Sequence, residues 1–323
     1  MKVLLADEYG FCFGVERAAN LVVRDSQIVG NTMGGTSAFH QNISNSVITG
    51  NGKGIEVRQI FGRERYIGDL TLNLENAIVS GNTSSGVAFW NDNYATTANV
   101  TVRNSTISNN GGNGIYTSAA GTTLSIATST ISSNVRHGVE LMESWVSSSG
   151  SYGSAQFRVS IADTTIAGKT LSGFSAHTGN FRGIGNNGTA ESSLFTDNTT
   201  IVGNAGGGIK LVVGNGGQLS PGAINHTTIA GNVGTTGGGI SVLLDPTAIT
   251  GVVATQLNLD STIIAKNAAT VSNPDLFSNV PGFTFAANYS LVQKPTSASI
   301  TTTAPGSNIT GKYPRLSLIA DFG

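Results

Sequence analysis

The chain has 323 residues, 43 of them Gly and 30 Asn, with 11% charged and a formal net charge of −1. A charge-poor, near-neutral chain lacks the basic face of a nucleic-acid binder, and 39% apolar residues exclude a disordered polyelectrolyte. A single cysteine excludes an intramolecular disulfide and a multi-thiolate zinc cage, and no apolar run reaches the length of a transmembrane helix.

Residues 1–20 read as an atypical N-terminal segment or cap. Lys2 is followed only by Val3-Leu4-Leu5-Ala6 before Asp7 and Glu8, which is too short an apolar stretch for a secretory signal. Met1–Ala6 and Gly10-Phe11-Cys12-Phe13-Gly14-Val15-Glu16-Arg17-Ala18 resemble the N-terminus of the iron–sulfur hydroxymethylbutenyl diphosphate reductases. That resemblance implies cluster binding at Cys12. A cluster needs several thiolates, and the chain has no second cysteine. Reductase activity is thus an alternative carried by residues 1–20 alone, and no cofactor is expected.

Over residues 21–290 a six-residue pattern recurs nine times. It begins Ser26-Gln27-Ile28-Val29-Gly30-Asn31 and returns at Ser46–Asn51, Ala77–Asn82, Ser105–Asn110 and Ser129–Asn134. Thr164–Lys169, Thr199–Asn204, Thr227–Asn232 and Thr262–Asn267 complete the set. The first position is Ser or Thr except Ala77, the third is Ile except Val79, and the last is Asn except Lys169. Spacings between copies run from 20 to 35 residues, so insertions fall in loops while one strand recurs. After each copy comes Gly and an alternating stretch, as in Gly86-Val87-Ala88-Phe89, Gly114-Ile115-Tyr116-Thr117 and Gly138-Val139-Glu140-Leu141. A period of two predicts a strand with one buried face.

A unit this short cannot bury its apolar face alone, but stacked copies can. The sequence therefore predicts an all-β solenoid with each strand paired in parallel to its equivalent in the next coil. Ile becomes an internal ladder and Ser/Thr a hydroxyl stack. Asn, or the Gly before it, is expected to take the left-handed corner, while the stacked Asn amides bond along the axis. The pattern resembles the right-handed parallel β-helix of the pectate-lyase-like superfamily. That resemblance supplies the handedness and implies a single-stranded β-helix of about nine to eleven coils. Residues 291–323 are expected to form a C-terminal cap and the start of a sorting region. There Pro314, Leu316, Leu318, Ala320, Asp321 and Gly323 are similar to the choice-of-anchor Q region of bacterial extracellular proteins; Tyr313 departs from it.

Chemistry is expected on the outward positions of the strand after each Gly. One column runs Glu56, Ala88, Tyr116, Glu140, Ser175, Lys210, Ser241. The other runs Arg58, Trp90, Ser118, Met142, His177, Val212, Leu243. The candidate substrate-binding strip is Trp90, Tyr116, Glu140, His177 and Lys210, because aromatics beside polar groups suit sugar stacking and hydroxyl bonding. The inserts Glu143–Val159 and His177–Leu194, with Trp145, Tyr152, Phe181, Arg182 and Glu191, are expected to wall it.

No catalytic residue is assigned. No column stacks two acids on successive coils, and Glu140 and Glu143 differ in side parity. The Asp-Asp and Gly-His-Gly motifs of galacturonases are absent. His40, His137, His177 and His226 fall on scattered coils, so no metal site is expected, and His137 and His226 read as turn or surface residues. The expectation is a secreted or cell-surface bacterial protein, extracellular and monomeric. Its role would be structural, adhesive or glycan-contacting, with a polysaccharide or surface glycan as partner. The alternative is a polysaccharide lyase or glycoside hydrolase acting on the same face.

Overall fold

The computed structural model describes residues 20–58, 69–90, 97–119, 121–142, 156–179, 190–220, 222–246, 248, 256–295 and 298–314. The expected segment 1–20, apart from Asn20, lies outside these residues, as do 315–323. Among the described residues there is no helix, and the chain winds as a right-handed parallel β-helix. Each full coil contributes a strand to three parallel sheets in turn. The first coil gives Asn20–Arg24 to the first sheet, Gln27–Val29 to the second and Thr36–Ala38 to the third. The second sheet holds 11 strands, one per coil, from Gln27–Val29 to Ile309–Thr310. The first holds 12, counting Gly217–Leu219, which pairs beside Ala190–Asp197, and the third holds 9. Right-handed turning is what twisted parallel strands impose on their crossovers.

The Ile column forms the expected ladder. Ile48 pairs with Val79, Val79 with Ile107, Ile107 with Ile131, and so on to Ile229 and Ile264. All of these are fully buried. Each contributes roughly 1.5–3 kcal/mol by leaving water. First- and third-sheet residues such as Leu72, Val100, Phe89 and Phe174 close the core around them.

The Ser/Thr column has a specific task at the corner between the first and second sheets. Ser105 Oγ donates to Arg103 O (2.7 Å) and accepts the backbone N–H of Ala77 one coil back (3.1 Å). Ser129 and Thr164 repeat the donation to the carbonyl two residues earlier. The residue between takes the left-handed conformation: Asn45, Asn76, Asn104, Thr128, Asp163 and Asn198 have φ between +44° and +50°.

The left-handed residue at the second corner is one of the two expected there. It is the residue before the ladder Asn, not the Asn itself: Gly50, Gly81, Asn109, Ser133 and Gly203 have φ between +53° and +67°. Turning there aims the Asn side chain inward, where Asn51, Asn82, Asn110, Asn134, Asn204 and Asn232 are essentially sealed from solvent. Inside, the amide is fully used. Asn82 Oδ1 accepts Asn51 N–H and Asn51 Nδ2, at 2.9 and 3.1 Å. Its Nδ2 donates to Ile48 O (3.3 Å) and Asn110 Oδ1 (2.9 Å).

The Gly that precedes every third-sheet strand but Leu276–Ser278, where Asp275 stands, is required by close approach. A Cβ on Gly114 would stand 2.5 Å from Gly138 O, and one on Gly138 would stand 2.4 Å from Gly173 O. The chain passes so close to its neighbour here that any side chain would collide.

Candidate functional site

The strip falls on the outward face of the third sheet, on strands Val87–Trp90, Ile115–Ser118, Val139–Met142, Phe174–Thr178 and Ile209–Val213. The first column holds its register from Glu56 to Ser241, and the second does from Arg58 to Met142 and from His177 to Leu243. Tyr116 pairs with Glu140, Glu140 with Ser175 and Ser175 with Lys210. Trp90 pairs with Ser118, and His177 with Val212. Neighbours in a column are about 4.8 Å apart.

The strip is deeper than an exposed strand face. Trp90 is 39% exposed, and Tyr116, His177 and Lys210 are half-buried. Glu140, expected on the exposed face, is 7% exposed, and Ala88, Ser118, Ser175 and Ser241 beside these residues are buried. Side parity in the sequence gives the face a residue points to, not how far that face is covered. Of the two long inserts, 143–155 and 180–189 lie outside the described residues, with Trp145, Tyr152, Phe181 and Arg182. Glu191 sits on the first sheet, where its carboxylate accepts Ser220 Oγ at 2.6 Å.

Two groupings stand out. Trp90 and Tyr116 meet diagonally across adjacent coils, with ring centroids 4.9 Å apart and planes tilted by 48°. Beside them Glu140 is clamped. Asn113 Nδ2 donates to its Oε2 at 2.8 Å, and His137 Nε2 stands 3.4 Å from its Oε1. His137 Nδ1 accepts the backbone N–H of Ser172 (3.2 Å), which places the proton of the neutral ring on Nε2, facing the carboxyl.

Sequence reasoning missed Asn113 and His137. His137, read there as a turn or surface residue, is 9% exposed. It belongs to a second polar column just before the Gly positions. Ser85 Oγ accepts Asn113 N–H, Asn113 Oδ1 accepts His137 N–H, and His137 accepts Ser172 N–H. The sequence carries that signal as a polar residue directly before Gly86, Gly114, Gly138 and Gly173. His226, by contrast, is an exposed corner residue paired with Asp197 at 2.8 Å.

Burial dominates the protonation of this cluster. It lowers His137 to about 4, helped by the positive charges of Lys210 and Arg136. It likewise lowers His177 to about 4, with Lys210 adding to the effect. Burial raises the Glu140 carboxyl, against the opposing pull of Asn113, Arg136 and Lys210. It raises the Tyr116 hydroxyl as well. The cluster is thus two neutral imidazoles and a carboxyl with a reduced tendency to ionise, beside two cations. It can stack on a ring, donate and accept hydrogen bonds, and attract negative charge. Among the described residues, no three of His, Cys, Asp and Glu come together as a metal site.

Compared with family models, curated proteins and solved structures, the chain matches none.

Proposed function

We propose that the protein is an extracellular or cell-surface β-helix whose third sheet contacts a glycan. The observation that carries this reading is the Trp90–Tyr116 pair. Two large rings share an outward strand face, and one of them is well exposed beside buried Ala88 and Ser118. Such a platform suits the apolar face of a sugar ring, and Glu140, His177 and Lys210 supply polar partners next to it. Charge narrows the ligand class. Arg58, Arg136 and Lys210 border the face; of the acids, Glu140 is buried and hydrogen-bonded to Asn113, Glu56 is paired to Lys53 at 2.8 Å, and Asp245 acts on His177. That balance favours a glycan carrying carboxylate or sulfate groups. The extracellular placement draws on the resemblance of residues 308–323 to a sorting region.

Stacking contributes about 1 kcal/mol per ring, so affinity for an oligosaccharide should lie at roughly millimolar to micromolar. A glycan array tests the reading. Binding weighted toward acidic glycans, lost in the Trp90→Ala/Tyr116→Ala double variant at unchanged melting temperature, supports it. No binding, or binding that survives both substitutions, refutes it.

A second reading, cleavage of the bound polysaccharide, is favoured by the titratable groups gathered at Tyr116, His137, Glu140 and His177. Release of unsaturated or reducing ends by wild type, abolished in Glu140→Gln, would establish it; a polysaccharide digest unchanged after prolonged incubation would dismiss it.

A further inference from the structure

The Asn ladder is broken in the sixth coil. Lys169 stands in the ladder position, 2% exposed, and its Nζ has no hydrogen-bond partner among the described residues. Every fully buried ladder Asn donates its amide to the carbonyl of the aliphatic residue one coil back, as Asn134 does to Ile107 O and Asn204 to Ile166 O. Lys169 offers Ile131 O no such bond. It also gives Asn134 no Oδ1 to donate to, whereas Asn110 donates to Asn134 at 2.8 Å.

The lysine follows the path of the amide it replaces. Its Cε lies 3.1 Å from the point where a Cβ on Gly138 would stand. One coil earlier, Asn134 Nδ2 lies 2.9 Å from the equivalent point on Gly114. Cε thus approaches its glycine about as closely as the amide nitrogen does, with Nζ bonded beyond it. The Lys169 backbone is held to the seventh coil, its N–H donating to Asn204 Oδ1 at 3.3 Å and its carbonyl accepting Ala205 N–H at 2.8 Å, while the side chain adds no bond toward the fifth.

We propose that Lys169 makes the junction of the fifth and sixth coils a pH-dependent joint, closed around a neutral amine and loosened when that amine is protonated. The ionisable groups on the elements packed around it are Arg136, His137 and Glu140 of the fifth coil and Lys210 of the seventh. None supplies a counter-charge: burial alone acts on Lys169, lowering its pKa from 10.5 to about 7. Protonation in the closed joint meets neither an acceptor nor an anion.

The direction follows from proton counting. Between about pH 7 and 10.5 the opened joint holds a proton that the closed one lacks. Opening is therefore suppressed as pH rises through this window, by up to about tenfold per unit, and levels off below about pH 7. Gly138 lies between His137 and Glu140 in the chain, so opening here would disturb that pair. The joint itself does not depend on any ligand.

Amide exchange read by mass spectrometry on the full chain, from pH 7 to 10 and corrected for intrinsic exchange, tests this. In wild type, peptides covering 130–142 and 165–178 should show opening constants that fall steeply with pH, while peptides of the second and third coils should not. Lys169→Met, which removes the amine and keeps the break, should flatten the dependence. Lys169→Asn should flatten it and also raise the melting temperature by restoring the amide bonds. Should Lys169→Met fail to fold, Lys169→Asn carries the comparison. Junction peptides with the same pH dependence in wild type and variant would overturn the proposal.

Discussion

Asn82, inside the unbroken part of the ladder, is held by four side-chain hydrogen bonds, two accepted at Oδ1 and two donated from Nδ2. Asn82→Ala would strand Asn51 N–H and one N–H of the Asn51 amide in a sealed interior, and would take one donor from Ile48 O and one from Asn110 Oδ1, which keeps the backbone N–H of residue 82. At about 1–3 kcal/mol for each buried donor left unmade, with partial relaxation, the loss should be about 2–4 kcal/mol in denaturant unfolding. Asn31→Ala, at the half-buried end of the ladder, should cost clearly less.

His137 carries a prediction with a definite sign. Its folded pKa is about 4, below the ordinary 6.5, so the unfolded chain binds the proton first. The neutral ring contributes stability above pH 6.5 that is lost as pH falls toward 4. Glu140 acts in the opposite sense: with its carboxyl raised, it favours the fold at low pH and loses that contribution as pH rises. Melting curves of wild type and His137→Gln should therefore converge as pH drops from 6.5 to 4, with wild type losing more. Parallel curves would show that the imidazole is not held neutral. The sequence hid this residue because a polar side chain before Gly looks like an ordinary turn; only its stacking on Asn113 and Ser172 makes it interior.

At the scale of the element, the strands of the second and third sheets were legible because fixed punctuation brackets them: Ser/Thr before, Asn after, then Gly. Strands of the first sheet, such as Leu70–Glu75 and Thr97–Arg103, follow connections of varying length and carry no constant residue at their start. Their alternation is visible in the sequence, but their place in the coil becomes evident only in register with neighbours. The glycine column was visible, but its reason was not, since close approach between coils is a three-dimensional fact. Gly114→Ala should force the Gly138 carbonyl, Ile131 Cγ2 and the Asn134 amide apart, costing about 1–3 kcal/mol. Gly30→Ala meets nothing within 4 Å and should suffer only the cost of its φ of +76°. Ile229→Asp would place a lone carboxylate between Ile201 and Ile264, costing about 4 kcal/mol or more in melting or denaturant experiments.

Across the whole molecule, each coil contacts mainly the coils before and after it, so stability is close to a sum of nearest-neighbour terms. This is why a nine-fold pattern sufficed to give the architecture, and why Lys169, the one exception in the Asn column, stands out as a local fault. The same regularity put Trp90, Tyr116, Glu140, His177 and Lys210 on one face by parity alone. It gave neither the burial of Glu140 nor the clamp from Asn113 and His137, because both depend on contacts between columns. The glycan reading rests on that face. Its most direct test is calorimetric titration of a uronate hexasaccharide and a neutral hexose hexasaccharide into wild type, Lys210→Gln and Trp90→Ala/Tyr116→Ala at pH 7. The account predicts binding of the acidic ligand by wild type, weaker binding in Lys210→Gln, and none in the double variant; equal heats from all three proteins, or a preference for the neutral sugar, would contradict it.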